Sequence, residues 1–522
     1  MLKFLRFLLI TAILAVSLSL GFQWVYQVPT AQGRVDSTAL APSIDTLLGA
    51  EVLPLVAEHP GLSGVALLPQ GHDAFAARIL LAEAAQDSID VRYYIWQKDA
   101  TGLMLLEAIR RAADRGVRVR LLLDDNGTPD LDPELAELNL HPKVEIRLFN
   151  PFVLRSPRIA SYALDFARVN RRMHNKSFTV DGVATVVGGR NVGDIYFANS
   201  AGVNYFDLDL VALGPAAEDA AQDFDLYWAS PSSVPADLIL PAAGDENGSV
   251  LAASVDAVEG SLGARKFAES VLASDLMKQL QDGAQGFEWA DLQMVSDHPA
   301  KGQGRVDSSK LMINRLGQIL GHPEQSVDLV SAYFVPGDRL TAMMSGWAEQ
   351  GIRVRVLTNA QEATDVMPVH GGYLQYRDDL LDAGVKLFEL KSLNDQAEDL
   401  ELRDQFGLIG SSKVSLHAKA FIIDETDLFV GSFNFDPRSA HLNTEMGYLI
   451  KGAKLARSVV PGYAAQLKER AYQVRRRADG GTEWLETLLS GEQRILQTEP
   501  GSTVLTRFLV RMVGWLPVSW LL

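Results

Sequence analysis

HNKSFTVD at residues 174–181 and HAKAFIID at residues 417–424 are two copies of one pattern, in which a lysine follows a histidine by two residues and an aspartate follows it by seven. Fourteen residues after each histidine a glycine begins a second short match, GGRN at 188–191 and GSFN at 431–434. One such match alone is weak evidence of a functional motif, because roughly a few per cent of chains of this composition would carry it by chance. Two copies with the same tail, a domain's length apart, indicate a duplicated functional unit.

The sequence around the two motifs is also repeated. SIDV at residues 88–91 and GVRVRL at 116–121 return as SVDL at 326–329 and GIRVRV at 351–356. Short apolar runs that alternate with helix-like stretches are typical of α/β layers, in which helices cover a largely buried sheet. The repeats therefore predict an α/β fold made of two similar halves.

The composition of the chain between and around the repeats predicts the domain boundaries. We expect a first domain at 45–232 and a second at 260–490. Residues 233–259 are predicted to be a linker, because this part of the chain is rich in alanine, serine, proline and glycine.

Both ends of the chain resemble membrane segments. Within residues 1–30 lies an apolar run long enough to span a bilayer, and an uncleaved anchor is favoured over a cleaved signal. Lys3 and Arg6 would keep the N-terminus on the cytoplasmic side, which leaves the bulk of the chain outside the inner membrane. Residues 491–522 carry arginines four residues apart and suit the headgroup region of a bilayer. The alternative for this segment is a docked C-terminal helix.

Composition and charge exclude several classes of protein. The 522 residues are 47% hydrophobic and 22% charged, as expected of a folded protein with a sizeable core. The 48 lysines and arginines against 65 aspartates and glutamates give a net charge of −17, which disfavours nucleic acid as a partner. The absence of cysteine excludes disulfides, thiolate zinc sites and cysteine nucleophiles.

The spacing within each motif places its histidine and lysine together. Both lie next to a short β-like run, and strand side chains two residues apart share a face. Asp181 precedes Gly182, a hairpin-turn signal, and Asp424 stands at the equivalent bend, so a turn-fixing role is favoured for both aspartates. The candidate catalytic residues of the two motifs are His174, Lys176, Asp181, His417, Lys419 and Asp424.

These residue types suit a negatively charged phosphodiester. Two ammonium groups with amide donors from Asn191 and Asn434 can neutralise and orient phosphate oxygens as charge builds in the transition state. Ser432 offers a further hydroxyl contact in the second copy, where the first copy has Gly189. A neutral imidazole can attack phosphorus while a protonated one gives its proton to the leaving alcohol. Because the lysines would replace a metal, we predict neither a metal nor another cofactor.

The twin motifs resemble the phospholipase D superfamily, and the resemblance extends over about residues 50–490. NRRMHNK at 170–176, YFVPG at 333–337 and HGGY at 370–373 look, more narrowly, like the bacterial cardiolipin synthase C group. The resemblance implies two α/β domains, related by a pseudo-twofold axis, with one active site at their interface. It also implies a covalent phosphohistidine and no metal.

Roles for individual residues follow from the same resemblance. His174 is the expected nucleophile and His417 the general acid/base, although near symmetry leaves the order reversible. Family members orient each histidine with a downstream carboxylate. Glu445 matches this role for His417, and Asp207 matches it for His174, with Asp209 as a rival.

The resemblance implies a membrane-bound phosphatidyltransferase that makes cardiolipin from phosphatidylglycerol, with phosphatidylglycerol or phosphatidylethanolamine as the donor. The expected location is the bacterial inner membrane, with the catalytic domains on the periplasmic side. Two alternatives stay open: a hydrolase acting on phospholipid or, less readily, on nucleic acid, and a non-catalytic lipid-binding scaffold. The sequence leaves the need for an accessory protein open.

Overall fold

The computed structural model describes residues 2–30, 36–200, 202–242, 249–281, 286–392, 413–488 and 490–515. Within these ranges, the strands form one sheet of 18 strands and a separate two-stranded pair. The sheet has two halves, one from each repeat of the sequence. The helices lie against it and at the two ends of the chain.

The first half of the chain supplies nine of the described strands. They are β1 (Ser63–Leu68), β2 (Ser88–Tyr93), β3 (Arg118–Asp124), β4 (Val144–Phe149), β5 (Ser177–Val180), β6 (Ala184–Gly188), β7 (Val203–Phe206), β8 (Asp209–Leu213) and β9 (Ser233–Pro235). Apart from β7, they lie in the order β9-β4-β3-β2-β5-β6-β8-β1, with β2, β3 and β4 parallel to one another. In the middle of β3, Leu121, Leu122 and Leu123 are all fully buried, as expected of a parallel strand covered on both faces.

The helices of this half cover the sheet or precede it. They are α1 (Leu2–Val25), α2 (Leu47–Glu58), α3 (Gly71–Ala84), α4 (Ala100–Asp114), α5 (Asp132–Leu138), α6 (Arg158–Leu164), α7 (Phe166–Val169), α8 (Pro215–Trp228), α9 (Ser249–Glu259), α10 (Leu262–Leu272) and α11 (Asp275–Gln281). Helix α4 begins after Asp99, whose carboxylate accepts a hydrogen bond from the Gly102 N–H at 3.0 Å. Its apolar face, with Leu105 and Ile109, is fully buried.

The second half repeats this arrangement. Its strands are β10 (Glu288–Ser296), β11 (Ser326–Ser331), β12 (Arg353–Asn359), β13 (Lys386–Leu390), β14 (Lys413–Leu416), β15 (Lys419–Ile423), β16 (Asp427–Gly431), β17 (Met446–Lys451), β18 (Ala471–Arg476), β19 (Thr482–Thr487) and β20 (Gln493–Leu496). Its helices are α12 (Met312–Ile319), α13 (Gly337–Glu349), α14 (Met367–Asp382), α15 (Pro437–His441), α16 (Ala453–Arg470) and α17 (Val504–Trp515).

The strand order shows the pseudo-twofold relationship between the halves. From the centre outward, β10-β17-β16-β15-β11-β12-β13-β18 mirrors β1-β8-β6-β5-β2-β3-β4-β9. The halves join where β1 pairs with β10 in antiparallel fashion, with Gly64 opposite Trp289. The predicted α/β fold of two similar halves is therefore confirmed.

A repeated ion pair explains why the SIDV and GVRVR segments recur. Arg120 on β3 lies opposite Asp90 on β2, with Nε 2.7 Å from Oδ1. Arg355 on β12 makes the same contact with Asp328 on β11, at 2.5 Å. Both aspartates are buried, and a buried carboxylate needs a hydrogen-bonded partner. Each half therefore keeps both members of the pair.

The described residues of the segment predicted to be a linker, 233–242 and 249–259, belong to the first half instead. Strand β9 pairs with β4, and helix α9 packs on α4 and α5, burying Leu251 and Val255 in the core of the first half. The next two helices, α10 and α11, pack against α3. The small side chains that suggested a linker also allow close helix packing. The second half of the sheet begins at Glu288, later than the predicted boundary at 260.

The two apolar ends both form helices. No helix in the described parts of the chain has the length and apolar character that crossing a membrane requires. At the C-terminal end, α17 docks on α14 at a close approach between Gly371 and Gly514, where a Cβ on Gly371 would lie 2.7 Å from the Val510 oxygen. This docking agrees with the alternative of a docked C-terminal helix.

Candidate active site

Each motif histidine is bound by a carboxylate from the opposite half of the molecule. The Nδ1 atom of His174 lies 2.8 Å from Oε2 of Glu445, and Nδ1 of His417 lies 2.5 Å from Oδ2 of Asp207. The two carboxylates were the expected histidine partners, but the expected pairing was wrong. It assigned Glu445 to His417 and Asp207 to His174.

Strand pairing across the interface explains why each histidine binds a carboxylate of the opposite half. Strand β7 runs parallel to β14, with Phe206 opposite Leu416, so the residues that follow them, Asp207 and His417, are neighbours. The His417 N–H donates to the Phe206 carbonyl at 2.8 Å. On the other side, Met173 forms a parallel bridge with Thr444, and the residues that follow are His174 and Glu445.

The rival carboxylate, Asp209, has a different place. It lies fully buried at the start of β8, where the Arg78 guanidinium donates to Oδ2 at 2.8 Å. Its Oδ1 accepts from the Arg190 N–H at 3.1 Å. These contacts tie the strand to α3 and to the loop after β6, so Asp207 is the carboxylate at the site.

The two lysines are buried beside the histidines. Lys176 Nζ donates to the carbonyl of His174 at 2.6 Å, and Lys419 makes the equivalent bond to the carbonyl of His417. Burial lowers the pKa of Lys176 to about 7 and also lowers the pKa of Lys419, against the opposing charges of the carboxylates. Lys419 lowers the pKa of Lys176 further, and Glu445 and Asp207 raise the pKa of both lysines, so the two lie in one electrostatic site.

Both histidines favour the neutral form in the free site. Burial lowers the pKa of His174 to about 4, outweighing Glu445, and Lys176 and Lys419 lower it further. Burial and Lys419 also lower the pKa of His417, against Asp207. The side chains of His174 and His417 keep exposed fractions of 8% and 7%, so neither is completely sealed from solvent.

The two asparagines hold equivalent positions after the motif strands. Asn191 Oδ1 accepts from the Ile95 N–H at 3.2 Å, and Asn434 Oδ1 accepts from the Tyr333 N–H at 3.4 Å. In each asparagine this bond uses the amide oxygen and not the NH2 group. The Nδ2 of Asn191 is buried and has no acceptor in the part of the chain that the structure describes, so it is a donor ready for a ligand oxygen.

Ser432 and Gly189 show where the two halves differ. The Ser432 hydroxyl lies 2.5 Å from Glu445 Oε2 and accepts from the Met446 N–H at 3.0 Å, so it supports the carboxylate behind His174. This geometry differs from the predicted phosphate contact. A Cβ on Gly189 would lie 2.1 Å from Asp207 Oδ1, so only glycine leaves room for that carboxylate.

The motif aspartates lie at the far ends of their strands. The carboxylate of Asp181 accepts backbone N–H bonds from residues 86, 87 and 88, where β2 begins. Asp424 does the same for residues 324, 325 and 326 before β11. Both adopt a positive φ of 51°. Seven extended residues separate each from its histidine by roughly 20 Å, so the geometry gives them a turn-fixing place.

Aromatic side chains around the histidines were not among the predicted site residues. The Tyr205 ring stacks on His417 at 4.8 Å, and Tyr196 meets the same imidazole edge-on at 5.3 Å. Tyr94 meets His174 edge-on at 5.0 Å. The hydroxyl of Tyr205 donates to Asp365, a residue for which the sequence gives no motif signal. Tyr205 could have been found, because it lies two residues before Asp207.

The arrangement brings two imidazoles, two ammonium groups and the unpartnered amide donor of Asn191 to one interface, which suits an anionic phosphodiester. Within the described ranges, no group of three or more histidines, aspartates and glutamates is arranged to hold a metal ion.

Comparisons with known proteins agree with this geometry. The family described as "Cardiolipin synthase, PLD-like domain" matches residues 79–228 and 316–461, one match in each half. The chain is 43% identical over 475 residues to cardiolipin synthase C of Escherichia coli (strain K12), covering 91% of this chain and 99% of the relative. It is 25% identical over 386 residues to cardiolipin synthase B of Shigella flexneri, covering 74% of this chain and 76% of that one.

A solved structure supports the fold. The phosphatidylserine synthase of Haemophilus influenzae Rd KW20 superposes with a TM-score of 0.55 at 13% identity, covering 87% of this chain and 93% of that one. The fold, the twin motifs and the extent of the matches lead to one conclusion: the chain belongs to the cardiolipin synthase family of phospholipase D-like proteins.

Proposed function

We propose that the protein is a phosphatidyltransferase that makes cardiolipin by moving a phosphatidyl group onto phosphatidylglycerol through a phosphohistidine. The observation that carries the proposal is the single interface site in which His174 and His417 each hold a carboxylate from the opposite half. Membership of the cardiolipin synthase family supports the substrate class.

The first step is nucleophilic attack by His174. Its Nδ1 faces Glu445, so the proton resides there and the lone pair is on Nε2. With a pKa of about 4, the imidazole is neutral at physiological pH and is able to attack. An N–P bond forms, the P–O bond to the headgroup breaks, and His417 gives its proton to the departing alcohol.

Binding of the phosphodiester prepares His417 for this role. The pKa of His417 lies below its ordinary value in the free site, chiefly because of burial. A phosphate anion next to the ring favours the protonated form and raises that pKa. The bond to Asp207 stabilises the resulting imidazolium.

The phosphate oxygens meet the positive and amide groups of the site. We assign them to Lys176 and Lys419 and to the amide donors of Asn191 and Asn434. The unpartnered Nδ2 of Asn191 supports this assignment. Because both ammonium groups are buried, their attraction for developing negative charge is stronger than it would be in water.

The second step reverses the first. The hydroxyl of phosphatidylglycerol gives its proton to His417 and displaces His174 from phosphorus, which yields cardiolipin and the free enzyme. Each displacement inverts the phosphorus, so the complete reaction retains its configuration.

We also propose that the protein works at the bacterial inner membrane, with its catalytic halves on the periplasmic side. Exchange of headgroups needs no nucleotide, which suits that compartment.

Helix α17 supports contact with lipid, because Leu505, Phe508, Leu509 and Met512 are exposed on one face. Replacing Leu505 and Leu509 with glutamate is expected to lower binding to phosphatidylglycerol vesicles. Digestion of the catalytic halves by protease in intact spheroplasts would support the periplasmic side, and full protection would contradict it.

In the decisive experiment, the purified full chain is incubated with mixed micelles that contain labelled phosphatidylglycerol, with and without phosphatidylethanolamine. Cardiolipin together with released glycerol or ethanolamine is the expected result. Phosphatidic acid as the sole lipid product would indicate a hydrolase instead. Retention of activity in His174→Ala or His417→Ala would contradict the catalytic roles. Label recovered on His417 instead of His174, after a denaturing quench at alkaline pH that preserves the acid-labile N–P bond, would reverse them.

A further inference from the structure

Asp365 stands at the site on the His417 side. The hydroxyls of Tyr205 and Tyr333 both donate to its Oδ2, each at 2.8 Å. The Tyr205 ring lies between this carboxylate and His417, on which it stacks at 4.8 Å with the planes 26° apart. The charge of Asp365 also reaches Lys419, whose pKa it raises against the larger effect of burial.

The second oxygen of this carboxylate takes part in neither bond. The two hydrogen bonds to Asp365 among the described residues both go to Oδ2, and no cationic side chain within those ranges pairs with the carboxylate. The residue is exposed. A lone carboxylate next to a phosphate-binding site repels an anionic substrate unless the substrate also brings hydrogen-bond donors. Asp365 therefore suits a ligand group that carries N–H or O–H donors.

The wall beside His174 has a different character. There the side chain that contacts the tyrosines is Asn126, which donates to the Tyr94 hydroxyl at 3.3 Å and accepts from the Tyr162 hydroxyl at 2.7 Å. The amide is neutral. The site thus has a carboxylate on the His417 wall and an amide on the His174 wall, so its two sides are electrostatically different despite the pseudo-twofold axis.

We propose that Asp365 binds the headgroup alcohol of the substrate through the donors beyond its reacting oxygen. These donors are the ammonium group of ethanolamine or the hydroxyl groups of glycerol, which present the same chemistry to a carboxylate. The proposal rests on the proposed function, in which His417 exchanges a proton with the departing and the entering alcohol. A headgroup alcohol that leaves on the His417 side comes close to Oδ1 of Asp365, the carboxylate oxygen that neither tyrosine contacts.

The test compares three donor lipids with the full-length enzyme in mixed micelles: phosphatidylethanolamine, phosphatidylglycerol and phosphatidylmethanol, whose headgroup has no donor. Asp365→Asn keeps the shape and removes the charge. Its kcat/KM for release of ethanolamine should fall about 10- to 100-fold, the range for loss of a charged hydrogen bond. Release of methanol should fall much less, because it is affected only by the loss of a negative charge near Lys419. Asp365→Glu should retain part of the preference. Asp275→Asn, an exposed carboxylate on α11, is the matched control.

The pattern across the three lipids decides the outcome. A fall confined to phosphatidylethanolamine supports binding of the ammonium group, and a fall shared by phosphatidylethanolamine and phosphatidylglycerol supports binding of donors in general. An equal fall with phosphatidylmethanol, or no fall with any lipid, overturns the proposal. Failure of the proposed function has a different signature, which is read from the wild-type enzyme alone. The wild-type enzyme would then release no alcohol from any of the three lipids, or would release it with phosphatidic acid in place of a transfer product.

Discussion

Glu445 of the second half holds Nδ1 of His174 in the first half at 2.8 Å, so neither half contains a complete histidine–carboxylate pair. Asp207 and His417 form the reciprocal pair across the same interface. The carboxylate fixes the ring tautomer and stabilises the charged imidazole, as orienting groups behind histidines commonly do. The exchange makes the chemistry of each half depend on the folding of the other.

Replacing Glu445 with glutamine should therefore lower turnover sharply. The side chain keeps its length but loses the charge that stabilises His174, and we expect kcat to fall by about 100-fold or more. Cardiolipin formation in mixed micelles measures the change. Glu83→Gln, on the exposed surface of α3, is the control and should behave as wild type. Equal turnover in the two variants would show that the pairing is not needed for catalysis.

The dependence of kcat/KM on pH should show that two groups, Lys176 and His417, must be protonated for activity. Productive free enzyme needs neutral His174, present above pH about 4, and protonated Lys176, present below pH about 7. It also needs protonated His417, whose pKa is lowered. Above pH 7, kcat/KM should therefore fall by about two powers of ten per pH unit.

The Lys176→Arg variant separates the two protons. Arginine keeps its charge throughout this pH range, so the fall should lessen to about one power of ten per unit, even though the less compact group lowers the peak rate. The measurement is kcat/KM for headgroup release at a series of pH values from about 4 to about 9. An unchanged steep limb in the variant would assign the second proton to another group.

Asp181 should matter for stability more than for chemistry. Alanine at this position leaves the three backbone N–H groups at the start of β2 without their acceptor, and we expect the free energy of unfolding to fall by about 1–3 kcal/mol. Asparagine should be milder, since it keeps an acceptor and tolerates the positive φ. Thermal unfolding measures the loss, and kcat per folded molecule should stay constant. A selective loss of kcat in a stable variant would restore a direct role in catalysis.

Gly189→Ala should damage the site without removing any functional group. The added Cβ would lie 2.1 Å from Asp207 Oδ1 and would push the carboxylate away from His417. Misplacement on this scale is expected to lower kcat at least about 10-fold. Gly202→Ala, whose Cβ has only the Ser200 hydroxyl nearby at 3.7 Å, is the matched control. Wild-type turnover in Gly189→Ala would mean that the carboxylate position is not limiting.

The sequence predicted the local parts of the site well. The histidine–lysine spacing is set by strand geometry over a few residues, and the two similar α/β halves follow from two copies of one pattern. The choice of carboxylate partner was wrong because it depends on the pairing of β7 with β14, which lie about 200 residues apart. With pseudo-symmetry, a pairing within each half and an exchange between halves fit the sequence equally well.

Other features escaped sequence reasoning for different physical reasons. The stretch 233–259 has the small residues of a linker, yet Leu251 and Val255 are spaced as one face of a helix and are buried in the first core. Asp365 belongs to no repeated motif, and its place at the site depends on Tyr205 and Tyr333, which come from opposite halves. Such contacts are set by tertiary structure alone.

The antiparallel join between β1 and β10 limits how the enzyme can admit a lipid. A hinge that swung the lobes apart would have to break backbone hydrogen bonds in the middle of a continuous sheet and separate both exchanged carboxylates from their imidazoles. Entry and exit of bulky acyl substrates must instead rely on rearrangement of side chains and surface segments around a rigid frame. The enzyme is therefore built to process its substrates without a clamshell motion.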